Sequence, residues 1–119
     1  MLEREYMEVH LKNGINYLSV SFKDKKYQIL TLFLCDEVDQ FEDWIKEDFE
    51  PVLSGILDYN ESGGNVCTWE ITPETTKVFD GLAEDGMGNW CEVDTKELYQ
   101  LIVEYAEKNR AFKAKYRNG

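Results

Sequence analysis

Met7-Glu-Val-His-Leu-Lys-Asn13-Gly14-Ile-Asn-Tyr-Leu18-Ser-Val-Ser-Phe22 carries the strongest local folding signal in the chain. Asn and Gly tolerate the positive φ of a type I′ turn, whose twist matches the strands it joins. A two-residue loop at Asn13-Gly14 pairs Lys12 with Ile15, Val9 with Leu18 and Met7 with Val20. Met7, Val9 and Leu11 then share an apolar face with Leu18, Val20 and Phe22. Tyr6, Glu8 and His10 fall on the opposite face with Tyr17, Ser19 and Ser21. The chain is expected to open with a β-hairpin.

Working outward, Lys23 to Lys26 reads as a polar turn and Tyr27 to Cys35 as a third strand, apolar on both faces and suited to a sheet centre. From Asp36 the period changes. Val38, Phe41, Ile45, Phe49, Val52 and Ile56 recur near helical spacing, and Pro51 should kink this helix or start a second one. Residues 58–65, with Ser62-Gly63-Gly64, read as a loop. Cys67, Trp69 and Ile71 alternate on one side of a strand that Pro73 ends. Further strands are expected at Thr76–Leu82 and Trp90–Val93, joined by a turn at 84–89. Asp94 can cap the amide of Glu97, and Val93 can staple onto Leu98, at the start of a last helix. That helix collects Lys108, Arg110, Lys113, Lys115 and Arg117 near its end, where the helix dipole favours cations. The order β-β-β-α-β-β-β-α predicts one α+β domain over residues 1–119: an antiparallel sheet with two helices packed on it.

Charge is gathered in one place. Residues 36–107 carry 20 Asp and Glu against three Lys (Lys46, Lys77, Lys96), within a chain of net charge −11. Such a balance speaks to partners and solubility more than to fold, and the natural partner of an acidic face is a basic surface. Hydrophobic residues at 43% and aromatics at 13% argue for a packed core rather than disorder. Cys35, Cys67 and Cys91 are odd in number and widely spaced, which points to free thiols in a reducing compartment. No C-x-x-C pair accompanies the one histidine, so neither a metal nor a cofactor is expected. The N-terminus shows no signal-peptide pattern, and the apolar run Ile29–Cys35 is far too short to cross a bilayer. A cytoplasmic protein without membrane contact follows.

Enzyme chemistry finds little support. His10 reads as a surface residue rather than a base. The chain lacks a G-x-S-x-G elbow and a Walker loop, and the G-x-G at Gly86-Met87-Gly88 fits a hairpin loop better than a dinucleotide fingerprint. Paired carboxylates abound, but acid/base work needs two of them facing across a cleft with separated pKa values. The expectation is a binding protein.

Its candidate surface is the run Asp36–Glu50, with eight acids and the single base Lys46. Asp39, Asp43, Glu47 and Glu50 stack at three- and four-residue spacing, each like-charge pair weakening the helix by a few tenths of a kcal/mol. Glu42 and Asp48 extend the run. Such a face is either a solvated helix surface or a site awaiting a cationic partner, and the lack of alternating Lys favours the second. Trp44 lies about 60° around the helix from Phe41, toward the acids. It is either an anchor ringed by polar groups or a tryptophan half-buried at the helix edge. Trp90 sits in a similar setting among Glu84, Asp85 and Glu92, whereas Trp69 belongs to the core pattern.

The hairpin sequence Met7–Leu18, the acidic Asp36–Glu50 segment and Trp69-Glu70-Ile71-Thr72-Pro73 together resemble the immunity proteins of bacterial contact-dependent inhibition and related polymorphic toxin systems. The resemblance covers most of the chain and assigns no residue roles. It implies one-to-one binding of a cognate basic toxin, commonly a nuclease whose phosphate-binding groove is lined by Lys and Arg, without direct binding of nucleic acid. Two other classes fit the composition: a nucleic-acid mimic of the anti-restriction or anti-CRISPR type, and an acidic adaptor for a basic protein.

Overall fold

The computed structural model describes residues 2–81 and 90–117. It is α+β, with a two-stranded antiparallel sheet, β1 (Arg4–His10) and β2 (Asn16–Phe22), and a four-stranded antiparallel sheet. The second sheet has the order β3 (Asn60–Gly63), β4 (Cys67–Ile71), β5 (Thr75–Asp80), β6 (Trp90–Asp94). Between the sheets runs a helical segment: α1 (Gln28–Leu32), a π-type stretch (Phe33–Val38) and α2 (Asp39–Leu53). Helix α3 (Thr95–Arg117) closes the chain.

The opening hairpin forms, but with a different turn and register from those expected. Gly14 has a positive φ of 87° and Asn13 does not, so the loop is not type I′. Leu11 N–H donates to Ile15 O at 2.8 Å and Gly14 N–H to Leu11 O at 3.0 Å, enclosing Lys12, Asn13 and Gly14 in a three-residue loop with glycine at the left-handed position. That extra residue moves the register by one: Val9 faces Tyr17, Glu8 faces Leu18 and Tyr6 faces Val20. Since side chains alternate along a strand, the slip exchanges the two faces of β1. Leu18 and Val20 remain buried, yet Met7 and Leu11 are exposed. Arg4, Tyr6, Glu8 and His10 turn instead toward α3. Arg4 forms a two-pronged contact with Glu104 (3.1 and 2.7 Å), and Tyr6 donates its hydroxyl to the same carboxylate. Glu8 meets Tyr116 and Lys115, and His10 stands edge-on to Tyr116.

The Arg4 guanidinium holds the Glu104 carboxyl below its ordinary 4.5, burial opposing and the Tyr6 hydroxyl assisting. A lowered carboxylate pKa contributes stability that is full above the unfolded value and is lost as pH falls through the folded one. Urea melts between about pH 3 and pH 7 should therefore show a slope that Glu104→Gln flattens. The side chain is 37% exposed, so the loss at neutral pH should be about 1 kcal/mol or less.

Residues 27–35 form no third strand. An apolar run of this length reads equally as a buried strand or a buried helix. The contacts of β2 decide between them: Thr31 Oγ1 donates to Val20 O at 2.7 Å, Tyr105 Oη to Leu18 O at 3.0 Å and Cys35 Sγ to Leu18 O at 3.6 Å. Side chains from helices thus occupy the carbonyls that another strand would have bonded. Leu-rich composition and the Asp24 cap, which accepts the Lys26 amide, favour the same outcome. Pro51 lies within the last turns of α2, and the interruption is at Phe41 (φ −123°, ψ 33°), just after the π-type stretch. Helix α2 ends at Gly55 (φ 85°), with Ile56 N–H bonded to Pro51 O and Gly55 N–H to Val52 O. Ile56, expected in the core stripe, lies beyond this cap and is exposed. The expected loop at 58–65 contains the edge strand β3.

The rest follows the pattern of the sequence. Cys67, Trp69 and Ile71 are buried, with Trp69 edge-on to Phe33 at 5.2 Å. Asp94 accepts the Glu97 amide at 2.9 Å, and α3 buries Leu98, Leu101, Ile102 and Tyr105. The three cysteines are free thiols; burial pushes Cys67 and Cys91 up to about 12, which keeps them protonated and inert.

Candidate partner-binding surface

Helix α2 divides its acids between two tasks. On the side facing α3, Asp39 accepts from Lys113 Nζ at 2.6 Å and from Asn109 Nδ2, while Glu42 pairs with Lys46 (3.2 Å) and Arg110. Lys113 and Arg110, late in α3, are thus counter-charges for the beginning of α2, while Lys115 serves Glu8 on β1. Mutual repulsion does not describe these two acids in the free protein. Asp48 accepts the Trp69 indole N–H at 3.2 Å, and burial raises its pKa against that bond. Glu50 accepts the Tyr99 hydroxyl at 3.3 Å.

Asp43, Trp44 and Glu47 form the outward part. Asp43 and Glu47 are exposed, and Trp44 is 46% exposed with its ring set against Phe41 at 5.4 Å. Its neighbour Ile45 is fully buried. The indole thus packs against Phe41 and keeps about half of its surface open to solvent. From Trp44 the stripe continues through Glu47 and Pro51, about 10 Å along the helix axis. Beyond the Gly55 cap come Leu57 and Tyr59, both exposed, and Tyr59 donates its hydroxyl to Glu61 at 2.7 Å. Sequence periodicity missed these two residues, because Leu57 follows the last residue of the expected helical stripe, Ile56, and Tyr59 fell in the stretch 58–65 read as loop. The Gly55 stop signal was the available clue.

The second expected patch is elsewhere. Trp90 is 45% exposed and stacks on Phe79, and Glu92 accepts from Thr75 Oγ1 at 2.7 Å. Both lie on β6, one edge of the four-stranded sheet, whereas α2 packs beside β3 at the other edge. Three strand spacings, about 14 Å, separate the two edges. Glu84 and Asp85, and the turn expected at 84–89, lie outside the described residues.

Among the described residues, no three His, Cys, Asp or Glu side chains converge as metal ligands, and no helix is long and apolar enough to cross a membrane. A cleft of about 560 Å³ between β2, the π-type stretch and α3 is lined by Tyr17, Thr31, Cys35, Asp39 and Lys113. The Asp39–Lys113 ion pair lies in its wall, and burial raises the Cys35 thiol.

The geometry therefore defines a class: an acidic α+β protein presenting a half-exposed tryptophan among carboxylates. No family model matches the chain, and no solved structure matches it. A protein of Bacillus cereus named "Immunity protein" is 43% identical over 89 residues, covering 75% of this chain and 76% of the relative. The chain belongs to the family of that immunity protein.

Proposed function

We propose that this protein neutralises a cognate basic toxin of a polymorphic toxin system, binding it one-to-one through the Trp44 face of α2. The observation that carries the reading is the 43% identity to a protein named for immunity. The surface chemistry supports it. A toxin acting on nucleic acid has a Lys- and Arg-lined groove, and Asp43 and Glu47 offer carboxylates on either side of an aromatic anchor. Charge complementarity of this kind speeds encounter and excludes wrong partners. A nucleic-acid mimic is less well supported, because Asp39 and Glu42 are already neutralised by Lys113 and Arg110.

Expression of the cognate toxin, with and without this protein, tests the reading. Growth arrest relieved by co-expression is the expected outcome; arrest unrelieved at equal expression would refute it. The charged rim makes a narrower prediction. Asp43→Asn with Glu47→Gln should weaken toxin binding by about 1–2 kcal/mol while thermal stability stays level or rises slightly. Asp39→Asn should instead lower stability, because its counter-charge lies within the molecule.

A further inference from the structure

The hairpin has two edges, and the rest of the fold closes one of them. Along β2, the carbonyls of Leu18 and Val20 are taken by Tyr105, Cys35 and Thr31. Along β1 the situation differs. The bonds Leu11 N–H to Ile15 O and Lys23 N–H to Glu3 O fix which residues of the pair exchange hydrogen bonds. In an antiparallel pair these alternate, so the main-chain groups of Tyr6, Glu8 and His10 point away from β2. Among the described residues they meet no main-chain partner. An unpaired row of this kind is a template for another strand.

Beside it, between β1 and α3, lies a cleft of about 390 Å³ whose apolar walls include Met7, Leu18 and Phe112 and whose cations are Lys108 and Lys115. Met7, Leu11, Ile15 and Tyr17 leave the outer face of the hairpin apolar as well. We propose that the β1 edge receives an extended segment of the toxin as a third strand. One apolar side chain of that segment enters the cleft, and a neighbouring carboxylate meets Lys108, since Lys115 is already held by Glu8. Added strands take affinity from main-chain bonds and specificity from pockets for alternate side chains, and both features are present here. The inference rests on the reading of the partner as a toxin, and adds a second contact apart from the Trp44 face. A second copy of this chain fits less well, since each copy brings a net charge of −11 and another Glu8 to the same edge.

Glu8→Pro removes an outward N–H without touching the bonds to β2, and Glu8→Ala controls for the lost carboxylate. Binding is measured against a catalytically inactive form of the cognate toxin. The proline variant should bind about tenfold or more weaker than the alanine variant. Hydrogen exchange of the wild-type complex gives a reading independent of variant folding. The amides of Tyr6, Glu8 and His10 should exchange quickly in the free protein and at least tenfold more slowly in the complex. Those of Met7 and Val9, already bonded to β2, should change little. Wild-type binding without this alternating protection, or with equal affinities for the two variants, overturns the strand-addition proposal and leaves the toxin-binding reading intact. A wild type that does not bind the toxin overturns both. Protection that appears in the free protein with rising concentration would make the occupant a second copy, and so overturn the assignment to the toxin.

Discussion

Replacing Glu37 by Ala should cost this protein about 3 kcal/mol or more of folding stability. Glu37 is fully buried. Its carboxylate accepts the main-chain amides of Asn65 (2.8 Å), Val66 (3.4 Å) and Cys67 (3.0 Å), holding the turn between β3 and β4 against the π-type stretch. Alanine leaves these donors without their acceptor and opens a cavity, and the two costs add. Glutamine keeps one acceptor oxygen but turns an NH₂ group toward the remaining amides, so it should recover only part of the loss. The same packing leaves no space at Gly64, where a Cβ would stand 2.2 Å from Glu37 Oε2. Gly64→Ala should therefore also destabilise. Urea denaturation of all three variants provides the check. A loss below about 1 kcal/mol for Glu37→Ala would mean that water replaces the carboxylate at little cost.

The largest effect on binding is expected at Trp44. Trp44→Ala should weaken the toxin complex by about 2 kcal/mol or more, roughly thirtyfold, with a much smaller change in thermal stability. The side chain is 46% exposed and rests on Phe41, so its removal uncovers one ring face and leaves no internal cavity. The contrast with Trp69 is instructive. That residue is fully buried and donates to Asp48, so Trp69→Ala should cost about 3–5 kcal/mol in folding. Thermal melts beside binding titrations separate the two tryptophans. A Trp44 variant that melts early yet binds with undiminished affinity would make it a core residue and move the contact elsewhere.

The sequence made these two tryptophans distinguishable. Alternation of Cys67, Trp69 and Ile71 identified a buried face, and the 100° step of a helix turned Trp44 away from the core stripe. Both readings depend on neighbours within a few residues. The Asp94 cap and the hairpin were legible for the same reason. What failed depended on partners distant in the chain. Asn13-Gly14 marked a turn, but its type rested on whether one residue or two took positive φ, and that changed which face of β1 met α3. The run Ile29–Cys35 could be strand or helix until β2 had its carbonyls filled. Glu37 belonged to an acidic string and carried no local sign of burial; the π-type stretch turns it inward to amides some 30 positions later. Asp39 read as unscreened for want of a Lys one helical turn away, and Lys46 was the one local counter-charge for Glu42, while Lys113 and Arg110 reach these acids from the far end of the chain.

A titration decides whether this is an inhibitor: the purified protein is added to its purified, active cognate toxin, with toxin activity and heat of binding followed together. Toxin activity should be fully extinguished at one equivalent, with tight association that slows as salt rises because exposed charges steer the encounter. Full toxin activity at several equivalents, or heat of binding without inhibition, would contradict the inhibitor role.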